Sequence, residues 1–131
     1  MEWVEQYVTG LRRELGISGR PSELDLCRCV EYFPRVLLRS ADVETAFCAH
    51  REDGGATIIL PRRLAGRTWE RALCHEMGHA VLTRGMHRVL SQCAEGDARM
   101  LRLARVWQWK EERIARAFAS AWLADDTRSR R

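Results

Sequence analysis

The stretch Leu73-Cys74-His75-Glu76-Met77-Gly78-His79-Ala80 constrains this chain more than any other. It reads H-E-x-x-H inside an apolar surround. On a helix, positions i and i+4 lie about 40° apart around the axis and one turn apart along it. His75 and His79 therefore share a face, at a separation that suits two imidazoles on one Zn²⁺ ion with bonds of roughly 2.0–2.1 Å. Glu76 lies about 100° round from His75, beside such an ion rather than on it. A carboxylate there can take a proton from a water activated by the metal, the chemistry by which this motif hydrolyses peptides. The plainer alternative is an amphipathic helix with two histidines and a solvated glutamate. The context argues against it. Ala72, Leu73, Met77, Ala80, Val81 and Leu82 make the helix apolar almost all round, and such a helix is buried. Buried histidines beside a buried carboxylate need partners, because unpaired polar burial costs roughly 2–7 kcal/mol. Gly78 inside the helix costs about 1 kcal/mol against alanine, which points to a second element approaching closely there.

A catalytic zinc site takes three protein ligands and keeps one position open. The third ligand is expected in Lys110-Glu111-Glu112-Arg113-Ile114-Ala115-Arg116-Ala117-Phe118-Ala119. Spacing alone does not choose between the two acids. Glu111 shares a helical stripe with Ile114 and Phe118, Glu112 one with Ala115 and Ala119. The second stripe carries the smaller side chains and so allows closer approach to the metal. Under that reading Glu111 sits about 100° away, exposed and paired with Arg105 or Arg116.

The strings H-E-M-G-H-A-V-L and E-R-I-A-R-A-F-A-S-A-W-L resemble the ImmA/IrrE family of metallopeptidases. That family pairs an H-E-x-G-H helix with a later helix of pattern E-x-x-A-N-x-F-A-x-x-L-L. Arg67 to Cys74 loosely resembles the family's approach to its zinc helix, and Ala56-Thr57-Ile58-Ile59-Leu60 its preceding strand. The likeness spans roughly Leu24 to Leu123, and only the two helical motifs are specific. It implies a zinc endopeptidase with His75, His79 and Glu112 as ligands and Glu76 as catalytic base. It further implies a protein substrate, often a helix-turn-helix transcriptional repressor. This chain departs from the pattern at Arg116, where the family has Asn, and at Ala124-Asp125-Asp126, where it has Met-Pro.

Other features bound this reading. At 131 residues the chain suits one domain, able to bury about two-thirds of its unfolded surface. No apolar run approaches the ~18 residues of a membrane span. The N-terminus lacks the basic-then-apolar order of a signal peptide, so the expected compartment is the cytoplasm and no membrane partner is expected. The five cysteines, Cys27, Cys29, Cys48, Cys74 and Cys93, are odd in number and irregular in spacing, which suits reduced thiols packed as small hydrophobes. Residues 99–131 carry a net charge of +5. Such a segment attracts nucleic acid or a DNA-bound partner, although arginines on the wet face of a helix are the simpler account. The tail after Leu123 is expected to be disordered.

The expected fold is α+β: about three strands, antiparallel or mixed, packed against helices. An N-terminal helix lies within residues 1–20 and stops at Gly16. A second helix is capped by Ser22 and ends at Pro34. Val36 to Leu38 is a short strand. Glu44–Ala49 and Ala56–Leu60 form a hairpin across Asp53-Gly54-Gly55. The zinc helix runs from about Thr68 to Thr83, a loop follows from Gly85 to Gly96, and a last helix runs from Asp97 to Leu123 with a break near Trp107. Either hairpin strand is a candidate edge for an extended peptide to pair with. His87 and His50 are candidates for stabilising the transition state. Mn²⁺ and Fe²⁺ suit an N/N/O donor set as well as Zn²⁺ does. The competing function is a non-catalytic, metal-stabilised binding module, such as a phage, mobile-element or toxin–antitoxin accessory protein that acts by docking a partner.

Overall fold

A computed structural model describes residues 1–83 and 96–124. The expected loop and His87, Cys93 and the tail beyond Ala124 lie wholly or mainly outside the described residues. The architecture is α+β, with four helices and one three-stranded mixed sheet among the described residues.

Helix α1 spans Glu2–Leu15 and buries Val4, Val8 and Leu11, one apolar stripe at spacings of four and three. Gly16 ends it in the left-handed region at φ 68°, where glycine has no Cβ to clash. Helix α2 spans Glu23–Tyr32, and its first turn is closed by a reciprocal capping box between Ser22 and Asp25. Each satisfies a backbone N–H that the helix itself leaves without a partner.

Strands β1 (Val36–Ala41), β2 (Phe47–His50) and β3 (Ala56–Pro61) lie in the order β1-β3-β2. β1 runs parallel to β3 and β2 antiparallel to it. The hairpin forms where expected: Gly54 takes φ 86°, and the Asp53 carboxylate accepts from the Gly55 amide at 2.8 Å. Its first strand starts at Phe47 rather than Glu44, because Val43 and Glu44 turn their carbonyls to the Arg63 guanidinium. β3 buries Ala56, Ile58 and Leu60 and is paired on both sides. The expectation of Ala56–Leu60 as a peptide-pairing edge is therefore corrected: its backbone is already committed, and among the described residues β2 is the edge beside α3.

Helix α3 spans Gly66–Leu82 and helix α4 spans Ala98–Leu123. Asp97 caps α4 by accepting from the Arg99 and Met100 amides, both at 3.1 Å. The helix then continues through Trp107 without the expected break. No proline, glycine or other breaker lies in the sequence there. Leu73, Cys74 and Met77 of α3 meet Phe118 and Trp122 of α4, Ile58 and Leu60 of β3, and Val4 and Val8 of α1 in one core. Arg12 of α1 fastens the far end of α4 by donating to the Trp122 carbonyl at 3.0 Å.

Close contact between α3 and α4 explains the glycine in the motif. A Cβ on Gly78 would stand 2.8 Å from the Ala115 Cα, so two helix backbones touch where both side chains are minimal. The contacts advance along α4 as they recede along α3, and the helices run antiparallel. That crossing sets the stretch from Glu111 to Arg116 over the H-E-x-x-H face.

Candidate metal centre

His75 and His79 project from α3 on one side, and Glu112 reaches them from α4. His75 Nε2 lies 3.2 Å from Glu112 Oε2, His79 Nε2 lies 3.0 Å from Glu112 Oε1, and the two Nε2 atoms are 3.3 Å apart. Four ligands at roughly 2.0–2.1 Å from a tetrahedral ion stand about 3.3–3.4 Å from one another. The two imidazole nitrogens and the Glu112 carboxylate, which turns one oxygen to each ring, are thus spaced close to the edges of such a tetrahedron, and the three residues form a candidate metal-binding triad.

The hydrogen bonding around His79 strengthens that fit. His79 Nδ1–H donates to Glu111 Oε1 at 2.9 Å. That bond assigns the ring proton of a neutral imidazole to Nδ1 and leaves the Nε2 lone pair facing the Glu112 carboxylate. A lone pair and a carboxylate oxygen at 3.0 Å repel each other unless a cation sits between them. A proton or a metal ion supplies one, and the neutral donor set with an anionic third member suits a divalent ion.

Glu111 is where the structure departs most from the sequence-based expectation. It is 8% exposed and pairs with neither Arg105 nor Arg116. Its Oε1 also lies 3.1 Å from the Thr83 hydroxyl, which has the His79 carbonyl at 3.0 Å as its other acceptor. Thr83 is the C-terminal cap of α3 and is itself fully buried. Glu111 thus orients the imidazole that Glu112 faces, and neighbouring acids take different tasks because they lie about 100° apart on α4. The signal for this was in the sequence. Glu111, Ala115, Phe118 and Trp122 recur at spacings of four, three and four, and all four are buried.

Glu76 is also 8% exposed. Burial pushes its carboxyl above the usual carboxylate range, and the charges of Glu112 and Glu111 push the same way against His79. His75 is lowered, first by burial and then by the His79 charge, with Arg116 adding to the effect. For His79, burial pulls the other way but the Glu111 hydrogen bond and the surrounding carboxylates outweigh it, so it holds its proton more firmly than usual. Acid–base groups have been driven apart within one small volume.

A cleft of about 850 Å³ opens beside the triad, lined by His75, Glu76, Ala72 and Arg71 of α3, by Arg116, Ala119, Ser120 and Leu123 of α4, and by Ala46 before β2. No protein-family model, curated protein sequence or solved structure matches the chain. The triad and the cleft therefore rest on their own geometry.

Among the other residues singled out from the sequence, His50 ends β2 with Nε2 4.0 Å from Cys48 Sγ. It is not a member of the triad or of the cleft lining. His87 lies outside the described residues. Cys74, on α3 next to His75, is fully buried in the core, and burial raises its thiol well above the usual value. Cys27, Cys29, Cys48 and Cys74 are all free thiols. Among the described residues no helix is long and apolar enough to cross a membrane.

Proposed function

We propose that this chain is a zinc-dependent endopeptidase of the ImmA/IrrE type. His75, His79 and Glu112 would hold the ion and Glu76 would be the catalytic base. The observation that carries the reading is a buried Glu76 carboxyl next in sequence to the triad's His75, opening on the same cleft as His75, with burial holding it above the usual carboxylate range. A structural metal site gains nothing from such a group, whereas a hydrolase needs a carboxylate placed to take a proton from water. Bound zinc would supply Lewis acidity, polarising a peptide carbonyl and acidifying water.

The chain's own residues supply the rest. Glu76 would accept a proton from the attacking water and pass it to the departing amine. Glu111 would hold the His79 ring in place throughout, and the apolar wall of Ala72, Ala119 and Leu123 would exclude bulk water from one side of the cleft. β2, the sheet edge beside α3 among the described residues, would be the strand against which an extended substrate pairs. The substrate class that the resemblance implies is a DNA-binding repressor, met in the cytoplasm.

The test is a comparison of the chain with its Glu76→Gln variant, both loaded with zinc, on a candidate repressor. Cleavage should fall by at least about a hundredfold, the typical contribution of a positioned base, while binding of the repressor persists. Equal cleavage by both forms would reject Glu76 as the base. Binding without cleavage by either form would favour the docking-module alternative. The ligand assignment is checked separately by His79→Ala, which should lose zinc and with it the stabilisation that zinc confers on the folded chain. A full equivalent of zinc held with unchanged affinity would remove His79 from the set.

A further inference from the structure

The cleft carries two arginines that the proposed chemistry does not use. Arg71 lies four residues before His75 on α3, and Arg116 four residues after Glu112 on α4. Each therefore sits one turn along from a triad residue, on that residue's own stripe, about 6 Å away along its helix axis. Because the helices are antiparallel, both displacements point the same way. The two guanidinium groups come to line one cleft, at one end of the triad.

Neither group is tied down by a partner within the fold. Among the described residues Arg71 and Arg116 make no ion pair and no hydrogen bond, although Glu76 lines the same cleft. Some arginines elsewhere in the fold are tied down, while others on the surface, such as Arg67 and Arg102, have no partner among the described residues either. Arg20 is paired with Glu70 at 2.6 Å, Arg62 with Asp42 at 3.1 Å, and Arg12 and Arg63 donate to backbone carbonyls. What sets Arg71 and Arg116 apart from other unpaired arginines is their place together in the cleft beside the triad. A guanidinium fork matches a carboxylate in two parallel hydrogen bonds, and two forks in one cleft select against a cation as well as for an anion.

We infer that the cleft selects an acidic peptide, with Arg71 and Arg116 reading a Glu or Asp side chain close to the bond held at the triad. An extended chain advances about 3.3 Å per residue, so a group about 6 Å along the cleft belongs within about two residues of that bond. This inference names a substrate preference for the site proposed above and rests on that reading for its catalytic meaning. The charge recognition itself needs neither metal nor turnover.

The experiment uses the full chain carrying Glu76→Gln, with and without added zinc. Three fluorescent ten-residue peptides serve as probes, identical except for a central Glu-Glu, Gln-Gln or Lys-Lys pair. Anisotropy at physiological salt should show the Glu-Glu peptide binding about tenfold more tightly than the Gln-Gln peptide, the size expected of a charge-assisted contact. Adding Arg71→Gln and Arg116→Gln should abolish that difference, and Arg71→Glu with Arg116→Glu should transfer the preference to the Lys-Lys peptide. A control pair, Arg102→Gln with Arg105→Gln on the same helix but outside the cleft lining, should leave the preference intact. Unchanged circular dichroism and zinc uptake establish that each variant is folded.

Equal binding of the three peptides, absence of binding, or equal loss of preference in the control pair would each overturn the inference. Failure of the peptidase reading looks different. The chain would then show no zinc uptake or no cleavage, while the acidic preference and its reversal remain.

Discussion

Helix α4 is two helices in all but backbone. From Ala98 to Lys110 most of its large apolar residues face outward: Leu101, Leu103, Val106 and Trp109 are exposed, and Trp107 is half-buried. From Glu111 to Leu123 the order inverts, and the buried residues are Glu111, Ala115, Phe118 and Trp122. The first half thus exposes leucine and tryptophan while the second buries a glutamate. Hydrophobicity does not separate them. What separates them is what stands opposite. The second half lies against α3 at the Gly78–Ala115 contact and is fastened by Arg12, while the first half, among the described residues, begins beyond the end of α3, where Thr83 meets Glu111. Burial of Glu111 is tolerated because both the His79 ring and the Thr83 hydroxyl bond it, which offsets the cost of taking a carboxylate out of water.

The largest expected difference between the halves is at their tryptophans. Trp122 is fully buried against Phe118, with ring centroids 6.3 Å apart. Trp122→Ala should cost about 3–5 kcal/mol in chemical denaturation, the range for large aromatic truncations in a core. A loss below about 1 kcal/mol would mean that the α1–α4 contact contributes little to holding the second half in place.

The next effect is smaller and more informative. Glu111→Gln keeps the shape but weakens the acceptor that holds His79, and zinc affinity should fall about ten- to a hundredfold, as for other residues that orient a ligand. Glu112→Gln should lower it further, since that residue supplies the donor atom itself. Competition with a chromophoric chelator measures both. If Glu111→Gln binds zinc within about twofold of the parent, the carboxylate is a structural filler rather than an orienting group. Acidification should weaken zinc uptake in every form, because a bound metal needs neutral imidazoles. The raised His79 means that this weakening begins at a higher pH than for an ordinary histidine.

Gly78→Ala separates packing from ligation. Helix propensity favours the change by about 1 kcal/mol, but the new methyl meets the Ala115 Cα at 2.8 Å, a backbone atom that moves only with α4. Overpacking of this kind costs about 1–3 kcal/mol, so a net loss of about 1 kcal/mol is expected. Zinc affinity should fall with it, because α4 carries Glu112. A stabilised variant with unchanged metal binding would show that the helices separate without disturbing the site.

Much of the site was legible from the motif because helical spacing is rigid. Once His75 and His79 are four residues apart on a helix, their shared face and the place of Glu76 follow. Gly78 likewise announced a close neighbour. The choice of Glu112 over Glu111 rested on the small residues on its stripe and on the register of the resemblance, and Glu112 is the acid that stands with His75 and His79 in the candidate triad. The fate of Glu111 did not follow, since periodicity places an acid on a buried stripe without saying what will satisfy it. Its partners come from α3, at a distance of 28 to 32 residues in sequence. The central place of β3 was similarly hidden. β1 joins it in parallel from the far side of the hairpin, and local turn signals carry no information about that pairing. The unbroken α4 shows the converse, that a change of environment along a helix need not interrupt its backbone.

The smallest expected effect is at Trp109, and it tests the other side of the comparison. Its side chain sits in the outward-facing half at 57% exposure, with the Arg113 guanidinium 4.8 Å from the ring centroid. An exposed cation–π contact contributes about 0.5–1 kcal/mol. Alanine recovers about as much through its higher helix propensity. Trp109→Ala should therefore change stability by less than about 0.5 kcal/mol, as surface substitutions usually do, and leave zinc affinity alone. The measurement is a denaturation midpoint with and without zinc, at two protein concentrations. A loss of more than about 2 kcal/mol has no source in a solvated ring, and would require another surface over the first half of α4. If that loss grew with protein concentration, the covering surface would be a second copy of the chain. The contrast between the halves would then describe an interface and a core rather than a wet face and a core.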